Sequence, residues 1–148
     1  MDWRPPMKSI WILFAALIAF AGVEHGAQAR SGDRQYAAVD NHDPVQFLRI
    51  LRDAQDMLKS GRGREFRIYL LDRGVLLVIP GSTNIQKEVF DIKRRNPNLK
   101  IIACKETVDA ITKNAKRRPP LLPGTTIESC NNTSRRLDAA GWLRGPVL

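Results

Sequence analysis

Histidine and cysteine, the residues that most often carry metal and nucleophile chemistry, are scarce in this chain. There are two of each: His25, His42, Cys104 and Cys130. None stands in the paired short spacing that a zinc site needs. Two cysteines make at most one bond, not a disulfide scaffold. A Gly-x-Gly-x-x-Gly fingerprint and a Walker loop are both missing, so nothing is in place to cradle a dinucleotide or a nucleotide phosphate. No Gly-x-Ser-x-Gly elbow is present to seat a hydrolase serine. No internal repeat or low-complexity tract divides the chain. The sequence therefore calls for no cofactor and no metal. Its one long apolar run, Ile10–Val23, has 14 residues, short of the ~20 that cross a bilayer comfortably, so no stable membrane span is expected.

That run has the setting of a secretory signal. Arg4 and Lys8 precede it, and Ala27-Gln28-Ala29 follows it with the small-x-small pattern of a cleavage site. An uncleaved anchor is the alternative, and Met7 is a second candidate start. The expected organisation is a signal peptide over residues 1–29 and one domain over 30–148, exported to a periplasm or secreted. Residues 1–29 hold two basic and two acidic residues, so the whole net charge of +9 falls on the exported part. In such a compartment nucleic acid is not the expected partner. Acidic proteins, an anionic membrane surface or small anions fit a basic surface there, against the plainer reading of a charged, well-solvated exterior.

Strands and helices alternate along the rest. Gln35–Asp40, with Tyr36, Ala37, Ala38 and Val39, reads as a short first strand. Asp43 and Pro44 are a helix cap and first-turn pair, and Phe47, Leu51, Ala54 and Leu58 then form one apolar stripe. His42, beside that cap, reads as a solvated or capping residue. Phe66–Leu71 reads as a second strand and Val75–Ile79 as another apolar run. Thr83-Asn84-Ile85-Gln86 has the form of a capping box into a second helix, ending in Lys93-Arg94-Arg95. Leu99–Ala103 reads as a strand buried on both faces, running into Cys104. Thr107 is the expected cap of the helix that follows. Thr125–Glu128 reads as a short strand reaching Cys130, and residues from Asn131 to Ala140 as a last helix stopped by Gly141. The expected fold is a single three-layer α/β domain, a mostly parallel sheet of four or five strands flanked by helices.

Cys104 is the residue around which this order turns. It sits at the carboxyl end of a strand and the start of a helix, the edge where α/β domains gather their chemistry. A helix N-terminus favours a thiolate over a thiol. A buried, inert cysteine is the alternative. Cys130 also follows a short strand. If the two strands are neighbours, the cysteines are within reach of a disulfide; with a strand between them they are not.

A strand, a cysteine with Thr107 and a helix, Leu121-Leu122-Pro123-Gly124, a short strand, then a helix ending in Gly141-Trp142: this order resembles the DsrE/DsrF-like sulfur-relay family. Asp43-Pro44 before a long first helix and the Gly74-Val75 loop also fit. The likeness spans Tyr36–Trp142. It implies a compact α/β fold, frequent homo-oligomers, and Cys104 as the cysteine that carries sulfur as a persulfide. Partners would be a sulfur donor or acceptor protein or a small anionic sulfur species. The chain departs from the pattern at Asp72-Arg73, where smaller residues are usual, and in having Cys130. Two readings follow. One is an exported sulfur carrier using Cys104, with Cys130 as a possible resolving thiol. The other is a non-catalytic binding or assembly module that keeps the fold.

Overall fold

Asp43 opens the first helix by chemistry alone. Its carboxylate accepts the backbone N–H groups of Val45 and Gln46, each at 3.0 Å, and Pro44 fills the first helical position, where no N–H is needed. In the computed structural model, which describes residues 32–145, this helix is α1, Pro44–Lys59, and it lies between β1, Arg34–Val39, and β2, Glu65–Leu70. A 3-10 helix over Asp72–Val78, α2 (Gln86–Arg95), β3 (Leu99–Cys104), α3 (Lys105–Ala115), β4 (Thr125–Glu128), α4 (Thr133–Ala139) and β5 (Leu143–Arg144) follow.

The five strands form one parallel sheet in the order β4-β3-β2-β1-β5. The chain steps from β1 to β4 in one direction and then returns to lie outside β1. Right-handed crossovers therefore put the first three connections on one face and the fourth on the other. The burial follows that rule. Phe47, Ile50, Leu51 and Ala54 of α1, Val89 and Ile92 of α2, and Val108 of α3 share a core with Ala37, Ile68, Leu70 and Ile101 of the strands. On the opposite face Leu137 of α4 and Trp142 cover Tyr36, Tyr69 and Ile102, a much smaller core. Two arginines hold Trp142 against the sheet, the Arg67 and Arg34 guanidinium groups lying 4.4 and 5.6 Å from its ring centre.

Several local expectations are revised. The apolar run Val75–Ile79 falls mostly within the 3-10 helix, whose Gly74 lies so near β1 that an added Cβ would stand 2.2 Å from the Val39 carbonyl oxygen. The capping box at Thr83 does not form. Gln86 is the first helical residue, and its amide instead serves the preceding turn, donating to the Ile79 carbonyl at 2.6 Å and accepting the Gly81 N–H at 3.1 Å. Thr107 is not a cap either. α3 starts three residues earlier, with Cys104 in the cap position, and the Thr107 hydroxyl accepts the Asp72 N–H at 3.1 Å. β5, two residues long, was not anticipated. The residues read as a signal peptide lie outside those described. Among the described residues no helix is long and apolar enough to cross a membrane.

Candidate functional site

β3 delivers Cys104 to the carboxyl edge of the sheet, where it is only 2% exposed. β4 is the neighbour of β3, with Cys104 opposite Glu128. Two residues further on, the chain bends back and sets Cys130 beside Cys104. Their Cα atoms are 5.3 Å apart and the pair is a disulfide, so the neighbouring-strand condition is met and no free cysteine remains. The two sulfurs differ in setting. Cys104 is buried at the cap of α3, where no side chain caps the first turn. Cys130 is half-buried in the loop before α4.

Glu106 fixes that loop. Its carboxylate accepts the Cys130 N–H at 3.0 Å and the Ser129 hydroxyl. These bonds hold its carboxyl below the usual glutamate range, the Cys130 N–H foremost and the Ser129 hydroxyl next. The turn is closed by the Thr133 N–H on the Cys130 carbonyl at 3.2 Å, with Asn132 in the left-handed region at φ 55°. Lys105, the cation adjacent in sequence to Cys104, pairs with Asp109 one turn along α3.

Beside the disulfide a pocket of about 270 Å³ opens on the α4 face of the sheet. Tyr36, Ala38, Tyr69 and Leu71 form its apolar lining, Asn132, Ser134 and Arg135 are its polar contributors, and Cys130 is part of its wall; Cys104 does not line it. The Tyr36 hydroxyl donates to the Asp138 carboxylate at 2.8 Å. Burial, and after it this acceptor, raises the phenol above its ordinary value. A second pocket of about 380 Å³ shares Ala38, Leu71 and Ser134 and extends along the ends of β1, β2 and β5 to Asp40, Asp72 and Arg144. Asp72-Arg73, where the motif order departs from its pattern, thus places an acid on this second pocket. His42 lines neither pocket, and its Nε2 is buried without a hydrogen-bond partner. No group of His, Cys, Asp and Glu among the described residues is arranged to hold a metal ion.

The structure therefore joins the two cysteines singled out in the sequence and leaves His42 apart. Sequence reasoning missed Glu106, Tyr36 and Tyr69 as site residues. Glu106 carries only the generic signal of an acid in a first helical turn. The tyrosines carry only the alternation of a strand.

No family model and no curated protein matches the chain. Solved structures do. MTH1491 of Methanobacterium thermoautotrophicum superposes with a TM-score of 0.62 at 16% identity, over 76% of this chain and 96% of that one. The ychN protein of E. coli gives 0.56 at 20% identity, over 76% and 99%. BT1422 of Bacteroides thetaiotaomicron gives 0.52 at 17% identity, over 79% and 99%. MTH1491 and BT1422 are described as proteins of unknown function. At such identities the likeness is one of fold. The chain thus shares the α/β fold of these structures, with its own single parallel five-stranded sheet and helices on both faces.

Proposed function

We propose that this protein handles sulfur in an exported, oxidising compartment through the Cys104–Cys130 pair. The observation that carries the reading is the pair itself, bonded at the carboxyl edge of a parallel sheet beside an open pocket. The disulfide is the resting form. Once it is reduced, the Cys104 thiolate takes the uncapped cap position of α3, where the first-turn amides favour the charged sulfur. It attacks the outer sulfur of a persulfide donor, forming Cys104–S–SH and releasing the donor as a thiolate. The Cys130 thiolate then attacks the inner sulfur of that persulfide. The S–S bond to Cys130 forms, hydrosulfide leaves, and the resting disulfide is restored. The donor is a sulfur-carrying protein or a small anionic sulfur species, drawn by the basic surface, and the working form is a homo-oligomer.

The burial of Cys104 favours a second reading, in which the disulfide is a staple and the fold a binding or assembly module. Persulfide loading, read by intact mass with and without prior reductant, separates the two. The carrier reading expects no uptake by the resting protein and, after reduction, a transient gain of one sulfur that is lost as hydrosulfide while the disulfide re-forms. Cys104→Ser takes up none, and Cys130→Ser loads without reduction and keeps its sulfur. No loading of folded Cys130→Ser and no hydrosulfide released by the reduced wild type leave the binding module. Export is tested separately by N-terminal sequencing of protein from its host, with a start near Arg30 expected.

A further inference from the structure

We propose that the disulfide is opened at Cys130, not at Cys104, by a small thiol with a flat apolar body and an anionic group, seated in the pocket floored by Tyr36 and Tyr69. The proposal rests on the reading that the disulfide opens in use. It does not rest on what the thiols carry afterwards.

Displacement at a disulfide needs the attacking thiolate behind the sulfur under attack, in line with the bond that breaks. Cys130 is part of the pocket wall and Cys104 is not, so a molecule held in the pocket has Cys130 as its target. Cys104, at 2% exposure, is shielded by the fold. The leaving side is equally unequal. A leaving thiolate departs faster the lower its pKa. Cys104 leaves into the cap position of the 11-residue helix α3, whose amides favour a thiolate although the Glu106 carboxylate lies in the same first turn. Cys130 stands at the cap of nothing. Its N–H is bonded to the anionic Glu106 carboxylate, which opposes a second negative charge nearby. Access therefore selects Cys130 as the sulfur attacked, and the α3 cap position receives the Cys104 thiolate that leaves.

The step balances as follows. The thiolate RS⁻ forms R–S–S–Cys130 as the Cys130–Cys104 bond breaks, and the electron pair leaves on Cys104. A second RS⁻ attacks the R-bound sulfur, giving RSSR and the Cys130 thiolate. The protein gains two electrons, and two molecules of the thiol are oxidised to one disulfide.

The pocket's composition sets the class of R. Two tyrosine rings with Ala38 and Leu71 offer a flat apolar floor. The ionic group that lines the cavity is the cation of Arg135. The nearest acid on α4, Asp138, is occupied by the Tyr36 hydroxyl. A volume of about 270 Å³ suits a small molecule and not a peptide loop of a reductase.

The test compares mercaptophenylacetate, mercaptoethanesulfonate and cysteamine as reductants of the wild-type disulfide. Each rate is divided by the rate of the same thiol on an unstructured disulfide peptide, which removes intrinsic nucleophilicity. The aryl anion should be fastest and the cation slowest, with about tenfold between them, a difference within reach of one ring's apolar contact and one charge. Ala38→Trp, which fills the pocket, should remove the difference. Quenching an early time point with N-ethylmaleimide should give the aryl group on Cys130 and maleimide on Cys104. The reverse labelling, or equal normalised rates, overturns the proposal. Failure of persulfide loading with aryl label still on Cys130 would sink the carrier reading and leave this one standing.

Discussion

Glu106 does its work through two bonds that no charge count foresees. By holding the Cys130 N–H and the Ser129 hydroxyl, its carboxylate sets where the second sulfur lies. Folding lowers its pKa, so the unfolded chain takes up the proton first. The stability it contributes is complete above the ordinary value of 4.5 and is lost as pH falls through the lower folded value. The Cys130 amide resonance should therefore titrate with a midpoint below 4.5, and in Glu106→Gln it should not move with pH over that range. A second residue-scale prediction concerns Gly74. A Cβ there would meet the Val39 carbonyl oxygen at 2.2 Å, which the backbone of β1 cannot accommodate without moving. Gly74→Ala should lower the denaturant midpoint by well over what Gly63→Ala does, where nothing lies within 4 Å and the cost is only that of a left-handed φ of 75°.

Among the elements, α4 has the most exposed assignment. Its Leu137, with Trp142, is the helical cover over Tyr36, Tyr69 and Ile102. Leu137→Ala should cost about 2–5 kcal/mol, the range for emptying a buried leucine site, in urea unfolding. Ile102→Asp should prevent folding altogether, because Ile102 is fully buried and a carboxylate there has no partner. If Ile102→Asp melts like wild type, β3 is not a strand buried on both faces. The elements also show how far the sequence could be read. α1 was legible from end to end, because a cap, a proline and an apolar stripe all agree. The parallel sheet was legible from the alternation of strands and helices. α3 was placed late because threonine is a better cap than cysteine in isolation, while here the Thr107 hydroxyl is taken by the Asp72 amide from another element. The failed box at Thr83 has the same cause, since Gln86 is drawn to the Pro80-Gly81 turn. Periodicity cannot register a strand of two residues, and β5 went unseen. The cysteine pair was legible only as a condition on strand order, which local pattern does not contain.

For the whole molecule the disulfide is a tie between the two layers of helices. It bonds the cap of α3, on one face, to the loop that launches α4 on the other, across 26 positions of sequence. Closing a loop of that size contributes on the order of 3 kcal/mol by restricting the unfolded chain. The Cys104→Ser, Cys130→Ser double variant should fold to the same far-ultraviolet spectrum and melt roughly 10–15 °C lower, given the sensitivity of domains of this size. A melting point unchanged by both substitutions would mean the bond restrains nothing in solution.

The return of the chain to its own beginning has a consequence in time. β5 pairs with β1, Gln35 against Leu143 and Tyr36 against Arg144, and the Gly145 N–H closes on the Tyr36 carbonyl at 2.6 Å. β1 is the first of the described strands to emerge, whether from a ribosome or from a secretion channel, and its outer edge waits for β5, the last of them. Through all of that passage the edge offers open N–H and carbonyl groups to any neighbour. Vectorial delivery thus leaves this sheet unfinished until β5 arrives. A chain stopped after Trp142 keeps its core but carries that edge permanently, and it should aggregate beyond whatever oligomer the full chain forms.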